Sequence, residues 1–249
     1  MKKILVVVTL LSMLCMNALA DGLWSEATES YASGDYSRAI ALYIQIAETE
    51  GASDDLYYNM GNAYYKLNDN ANSIINYRRS LKLNPRNADA KFNLKMAQAR
   101  VKDNIEAEEM FFLKSWASSL TDLQRSDAWL IEAAVFFIMS LLGLLVFLFA
   151  ATPSRRRTGF YSSIVCALLF IVSLTCSISK YHAETSTDQA VIVAGSVTLK
   201  SSPDQSGTDL FILHAGAEVS VKERVGDWVN IRLANGDMGW MPEKDLERI

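Results

Sequence analysis

Two long apolar runs, Trp129–Ala151 and Phe160–Ser179, stand out from a chain that is otherwise mixed or polar. A helix rises about 1.5 Å per residue, so about 20 apolar residues cross the roughly 30 Å hydrocarbon core of a bilayer. Both runs reach that length, and nothing charged interrupts residues 133–151. Buried helices of a soluble core are usually shorter and amphipathic. The pattern predicts a membrane hairpin, with transmembrane helices over 129–151 and 159–179. The short connection, 152–158, carries Arg155, Arg156 and Arg157. Under the positive-inside rule these three act as topology determinants and make the loop cytoplasmic. Both flanking halves of the chain then lie on the opposite side of the membrane.

The N-terminus agrees with that orientation. Met1-Lys2-Lys3 is a basic start, Ile4–Met16 an apolar stretch, and Ala18-Leu19-Ala20 an A-x-A pattern. This predicts a signal peptide over 1–20 with Asp21 as the first mature residue; an uncleaved anchor is the alternative. Leu14 before Cys15 is too large for a lipoprotein signal. Export of the following segment and a cytoplasmic arginine loop are separate inferences that require the same topology.

Residues 21–110 change character: they are polar, tyrosine-rich and helical in pattern. A shift of 34 residues aligns Trp24 with Tyr58, Ala27 with Gly61, Tyr31 with Tyr65, Asp35 with Asp69, Ile40 with Ile74 and Tyr43 with Tyr77. A second shift brings Tyr58 to Phe92 and Asn59 to Asn93. Paired helices at this period, with Tyr57–Lys66 as a first helix and Pro85 ending the second, resemble the tetratricopeptide repeat (TPR). The expected units are 21–53, 54–87 and a half unit at 88–110, with a charged tail over Val101–Glu109 prolonging the last helix. Ser73 stands where the first unit has Ala39, and Asn68-Asp69 where it has Gly34-Asp35. Stacked repeats leave a concave groove lined by the first helix of each unit. In this register Trp24, Tyr31, Tyr58, Asn59, Asn62, Tyr65, Phe92, Asn93 and Met96 face or border it, as candidate peptide-binding residues. The same residues also serve as ordinary packing positions of the repeat. The basic constellation that holds a C-terminal carboxylate in some TPR grooves is not matched, since Trp24 and Thr28 occupy its first-unit positions.

Segment 111–128, including Phe111, Phe112 and Trp116, suits the headgroup region of a bilayer, or a strip packed on the repeat. Glu132 is placed at the interface. Residues 180–187 are read as a linker. From 188 to 249 short alternating stretches separated by turns predict a small all-β barrel. Val197-Thr198-Leu199-Lys200-Ser201-Ser202-Pro203, Gly226-Asp227-Trp228-Val229-Asn230-Ile231 and Asn235-Gly236-Asp237-Met238-Gly239-Trp240-Met241 resemble the bacterial SH3 (SH3b) family. Trp228 and Trp240 are core or rim aromatics, or border a ligand surface for peptide or glycan.

Net charge is −4 and the sequence pI about 5.3, which argues against a nucleic-acid binder. Cys166 and Cys176, ten positions apart on one helix, are about 15 Å apart and cannot pair. His182 and His214 are the two histidines, and no nucleophile, metal-ligand or phosphate-loop pattern is present. No catalytic residue, metal ligand or cofactor site is assigned, and an enzyme is not expected.

Taken together the chain reads as a multidomain membrane protein: an all-α TPR solenoid, a two-helix transmembrane hairpin and a small SH3-like barrel. That order resembles the BatE-like proteins of the Bacteroides aerotolerance (Bat) set. The resemblance implies a periplasm-facing scaffold in the bacterial inner membrane, with other membrane and periplasmic proteins of such a set as partners besides the lipid bilayer. It also implies a link to aerotolerance or envelope stress. A sensor that grips peptidoglycan through its SH3b domain is the alternative.

Overall fold

The computed structural model describes residues 22–103, 105 and 112–249. Segment 1–20, for which the sequence predicts a signal peptide, lies outside them, as does most of 104–111. The chain forms two compact units.

The first unit joins the N-terminal helices to the C-terminal strands. Its helices are α1 (residues 22–32), α2 (Tyr36–Glu50), α3 (Asp54–Lys66), α4 (Asn70–Leu83) and α5 (Ala88–Gln98). Local chemistry sets the turns. Gly34 has φ +88° and Asn68 φ +61°, the left-handed geometry that Gly and Asn tolerate best. Asp35, Ser53 and Asn87 cap the helices that follow by accepting the N–H of Arg38, Leu56 and Ala90 at 3.0, 3.1 and 2.9 Å. Gly61 allows the Tyr77 ring to lie on α3, because a Cβ there would sit 2.6 Å from Tyr77 Cδ1. Ser73, fully buried, donates its hydroxyl to the Gly61 carbonyl at 3.0 Å, so its polar atom is satisfied where the first unit needs only Ala39. Ala27, Ala39, Tyr43, Ile46, Leu56 and Met60 form one apolar core. Ala71, Ile74, Ile75, Tyr77, Leu94 and Ala97 form the next.

The charged tail does not prolong α5 as the sequence pattern predicts. The helix ends at Gln98 and Val101–Asp103 is irregular. Val101 is drawn onto the second helical core, against Gly216, where an added Cβ would meet Val101 Cγ2 at 2.8 Å.

The strands are β1 (Gln189–Ile192), β2 (Ser196–Lys200), β3 (Asp209–His214), β4 (Glu218–Val225), β5 (Trp228–Arg232), β6 (Met238–Pro242) and β7 (Leu246–Arg248). They form one antiparallel sheet in the order β3-β2-β6-β5-β4-β1-β7. Inward Leu199, Leu213, Val219, Val229, Ile231 and Met241 fill its core. Strand β1 is buried on both faces. Ala190 and Ile192 point into the sheet's core, while Val191, fully buried, enters the second helical core. Alternation of side chains along a strand makes this possible. Polar contacts ring the joint. Arg78 pairs with Glu218 at 2.6 Å, and Gln98 also donates to Glu218. Arg79 reaches Glu247 at 2.8 Å and the Arg248 carbonyl at 3.0 Å. Asp103 accepts the His214 backbone N–H at 2.6 Å and meets His214 Nδ1 at 2.7 Å.

The second unit holds α6 (Phe112–Thr121), α7 (Ser126–Phe149) and α8 (Pro153–Thr185). Helices α7 and α8, of 24 and 33 residues, have mean hydropathy of 2.5 and 2.1 in their most apolar windows, with 11% and 17% of those windows buried. They are long and apolar enough to cross a membrane. Helix α8 extends beyond its apolar run at both ends, whereas α7 starts before its run, at Ser126, and stops at Phe149, short of Ala151. Pro153, with its fixed φ, starts α8 directly after a short turn, so Arg155, Arg156 and Arg157 stand exposed on its first turns rather than in a loop. The expected 180–187 linker is likewise helical as far as Thr185. Its polar side chains find partners within the unit: Lys180 pairs with Asp122 at 2.6 Å, and Glu184 accepts the Ser126 N–H at 3.2 Å. Small residues let α7 and α8 approach closely. A Cβ on Gly159 would lie 2.6 Å from the Phe147 nitrogen. Ser140 and Ser163 donate to each other's backbone carbonyls at 3.0 and 2.9 Å. Close backbone approach with hydroxyl bonds suits helices that lack a hydrophobic drive to associate.

Candidate functional site

The concave side of α1, α3 and α5 encloses a groove of about 370 Å³. Helix α3 supplies Tyr58, Asn62 and Lys66 at i, i+4 and i+8, with Tyr65 beside them, so they share one face. Helix α5 supplies Phe92, Asn93 and Met96, and α1 supplies Tyr31. Seven of the nine residues singled out by the repeat register therefore line this groove. Trp24 and Asn59 do not. Trp24 turns to the first helical core, with its ring 5.9 Å from that of Tyr43. Asn59 is half-buried one position off the lining face of α3.

Tyr77 and Lys66 also line the groove. The repeat shift pairs Tyr77 with Tyr43, outside the groove register, and its ring is buried. Its hydroxyl passes between helices and donates to Asn62 Oδ1 at 2.7 Å. Only the length of a tyrosine at that buried position signals this. Burial pushes the Tyr77 phenol well above its ordinary pKa, so it stays protonated and donates. Asn93 Nδ2 donates to the same Asn62 Oδ1 at 2.9 Å and, more weakly, to the Tyr58 hydroxyl at 3.4 Å. Two apolar side chains flank this polar floor: Phe92 is 64% and Met96 46% exposed. The Arg100 guanidinium stacks on the Tyr65 ring at 3.7 Å.

A second depression, about 550 Å³, lies on the sheet between Gln205, Trp228 and Lys244, with Asp227, Pro242 and Glu243 completing it. Trp228 lines it and Trp240 does not. Trp240 lies opposite Asn230 in the β5–β6 register and next to Lys200 of β2, on the outward face. Glu243 is neutralised by Arg224 at 2.9 Å and Arg248 at 3.1 Å.

Comparison with protein families agrees with both halves of the first unit. The bacterial SH3 domain model matches residues 195–247, and the tetratricopeptide repeat model matches residues 55–87. No curated protein matches the chain. The chain thus combines a helical TPR-like region, two helices able to span a membrane and an SH3b-like sheet. TPR and SH3b are non-catalytic modules that bind protein segments or, for SH3b, cell-wall material.

Proposed function

We propose that the protein is a non-enzymatic scaffold, anchored in the bacterial inner membrane by α7 and α8. In this reading the TPR and SH3b modules face the periplasm and the arginines Arg155, Arg156 and Arg157 remain cytoplasmic. The groove over Tyr31, Tyr58, Tyr65, Phe92 and Met96 receives a segment of another membrane or periplasmic protein. The observation that carries this is the groove itself: apolar side chains left open to solvent beside an ordered polar floor, on a chain with two candidate membrane helices. Membership of a Bat-type complex, and through it a part in aerotolerance or envelope stress, rests on the resemblance in domain order.

A photo-crosslinking residue at Met96 of the full chain, in native membranes, tests the groove. It should capture a defined partner, and Phe92→Lys should abolish the capture. Unchanged capture in that variant removes the groove from the interaction. The depression beside Trp228 favours a second reading, in which the SH3b face binds peptidoglycan. Retention of the full chain on purified sacculi, lost in Trp228→Ala, supports that reading; no retention rejects it.

A further inference from the structure

The acidic side chains described in the second unit are engaged, with one exception. Asp122 pairs with Lys180 at 2.6 Å, Asp127 with Arg125 at 3.4 Å, and Glu184 accepts the Ser126 N–H at 3.2 Å. Glu132 is the exception. It is exposed on α7, and among the described residues nothing donates to it or pairs with it. Its neighbours Leu130, Ile131, Ala133, Ala134 and Val135 are all apolar. Counting about 20 residues back from Phe149, the thickness of the hydrocarbon core, reaches Trp129. Glu132 then lies about one turn inside that edge, on the side away from Arg155, Arg156 and Arg157. An acidic group among acyl chains is costly to leave alone, and such groups mark sites of pairing.

Helix α7 carries two seams with the alternating three-and-four spacing by which helices pack side by side. The first holds Ala133, Ser140 and Gly143, and α8 covers it. Ala133 and Gly143 are buried, and Ser140 exchanges bonds with Ser163. The second lies about 100° round the helix. It runs through Glu132, Val135, Met139, Leu142, Val146 and Phe149, every one exposed. Acyl chains can cover five of these six residues; they offer nothing to Glu132. Nor does a second copy of this chain. Between Trp129 and Ser179 its only cationic residues are Arg155, Arg156 and Arg157, at the opposite end of the hairpin. Copies inserted the same way round would set Glu132 against Glu132.

We infer that the Glu132 seam of α7 docks a transmembrane helix of another membrane protein, one that carries a lysine or arginine about a turn inside the same edge of the bilayer. The cation meets the Glu132 carboxyl, while apolar side chains interleave with Val135, Met139 and Leu142. Helices in lipid associate through such packing and polar contacts, since no hydrophobic drive brings them together. The charge pair sets depth and register, and the seam supplies close contact. This assignment rests on α7 and α8 spanning the membrane.

The test uses the full chain in native membranes with a photo-crosslinking residue at Met139. Leu141, also exposed but on the other side of Ser140, serves as the control. Adducts are sequenced to the residue. Met139 should capture an apolar span of another protein with Lys or Arg within a turn of its outer end, and Leu141 should not. Glu132→Gln should lower the yield about tenfold or more, whereas Glu132→Asp should keep most of it. Neither variant should move the unfolding temperature of the purified chain, because Glu132 bonds to nothing among the described residues. In liposomes the probe is a synthetic leucine–alanine span of about 20 residues with one lysine a turn from its end. By energy transfer it should associate with the chain about tenfold more tightly than the same span without lysine. Glu132→Lys should turn that preference toward a span carrying glutamate. Adducts with lipid alone or with a span lacking a cation overturn the docking assignment and leave the hairpin standing. So do unchanged capture in Glu132→Gln and equal association of the two synthetic spans. Release of the full chain from membranes by an alkaline wash overturns the hairpin reading, and the docking seam with it.

Discussion

Tyr77 and Val191 belong to one apolar cluster, yet the two sides of that cluster end differently. Toward α3 and α5 the Tyr77 hydroxyl emerges into an open groove whose rim exposes Phe92 and Met96. On the other side, strand β1 lays Val191 into the helices and shuts out solvent. The open side is polar at its floor and apolar at its walls. The closed side is apolar at its centre, with charged pairs at its edge. A helical stack that ends at α5 needs the apolar surface of its last helices covered. The sheet supplies that cover through β1, through the 214–216 turn against Val101, and through Arg78 and Arg79. The comparison teaches that the SH3b-like sheet is built into the repeat domain as its cap, while the groove keeps apolar side chains open at its rim.

Substitutions should separate the two sides, beginning with the strongest. Val191→Asp places an uncompensated carboxylate in a fully buried site. It should cost about 4 kcal/mol or more and unlink helices from sheet, seen as protease sensitivity between the two halves of the unit. A modest loss with no new cleavage would contradict the cap. Gly61→Ala drives a methyl into the Tyr77 ring and should cost about 2 kcal/mol in denaturant titrations, with groove binding lost as Tyr77 shifts. Tyr77→Phe removes one bond to Asn62 and should cost about 1 kcal/mol near neutral pH.

The same variant reports on pH. The Tyr77 pKa is raised by burial, so the folded state holds this proton more tightly than the unfolded chain. Its contribution is complete below the ordinary tyrosine pKa of about 10 and is lost as pH rises above that. Tyr77→Phe should therefore flatten the alkaline fall in unfolding midpoint, leaving the shares of Tyr31, Tyr43 and Tyr64, whose pKa values burial also raises. The smallest effect on stability belongs to the open side. Phe92→Lys should change the unfolding free energy by less than about 0.5 kcal/mol while abolishing partner capture. If it destabilised the fold as Gly61→Ala does, the rim would be core and the contrast would collapse.

Much of this was visible in residue spacing. The 34-residue shift marked Tyr31, Tyr58, Asn62, Tyr65, Phe92, Asn93 and Met96, because a repeat carries the same face at the same offset. The turn chemistry of Gly34 and Asn68 was visible for the same reason: left-handed backbone selects its residues locally. The in-out alternation of β5 and β6 was legible around Asn235-Gly236-Asp237. Trp24 escaped the register because its ring packs into the first helical core against Tyr43 instead of facing the groove. Val101–Asp103 escaped because helix propensity in a charged tail is weak beside the burial of Val101 and the bonds from Asp103 to His214.

Local periodicity settled the elements, the groove face and the membrane-length helices, since each depends on neighbours within a few dozen residues. The cap did not follow from any such pattern. Val191 reads as one more valine in an alternating strand, and Arg78, Arg79 and Glu218 as ordinary surface charges. Whether the second face of β1 met water or α4 depended on residues more than a hundred positions apart coming together. Nor could spacing say that the Tyr77 hydroxyl reaches from α4 into the groove to donate to Asn62 Oδ1, a contact that exists only once the helices have packed.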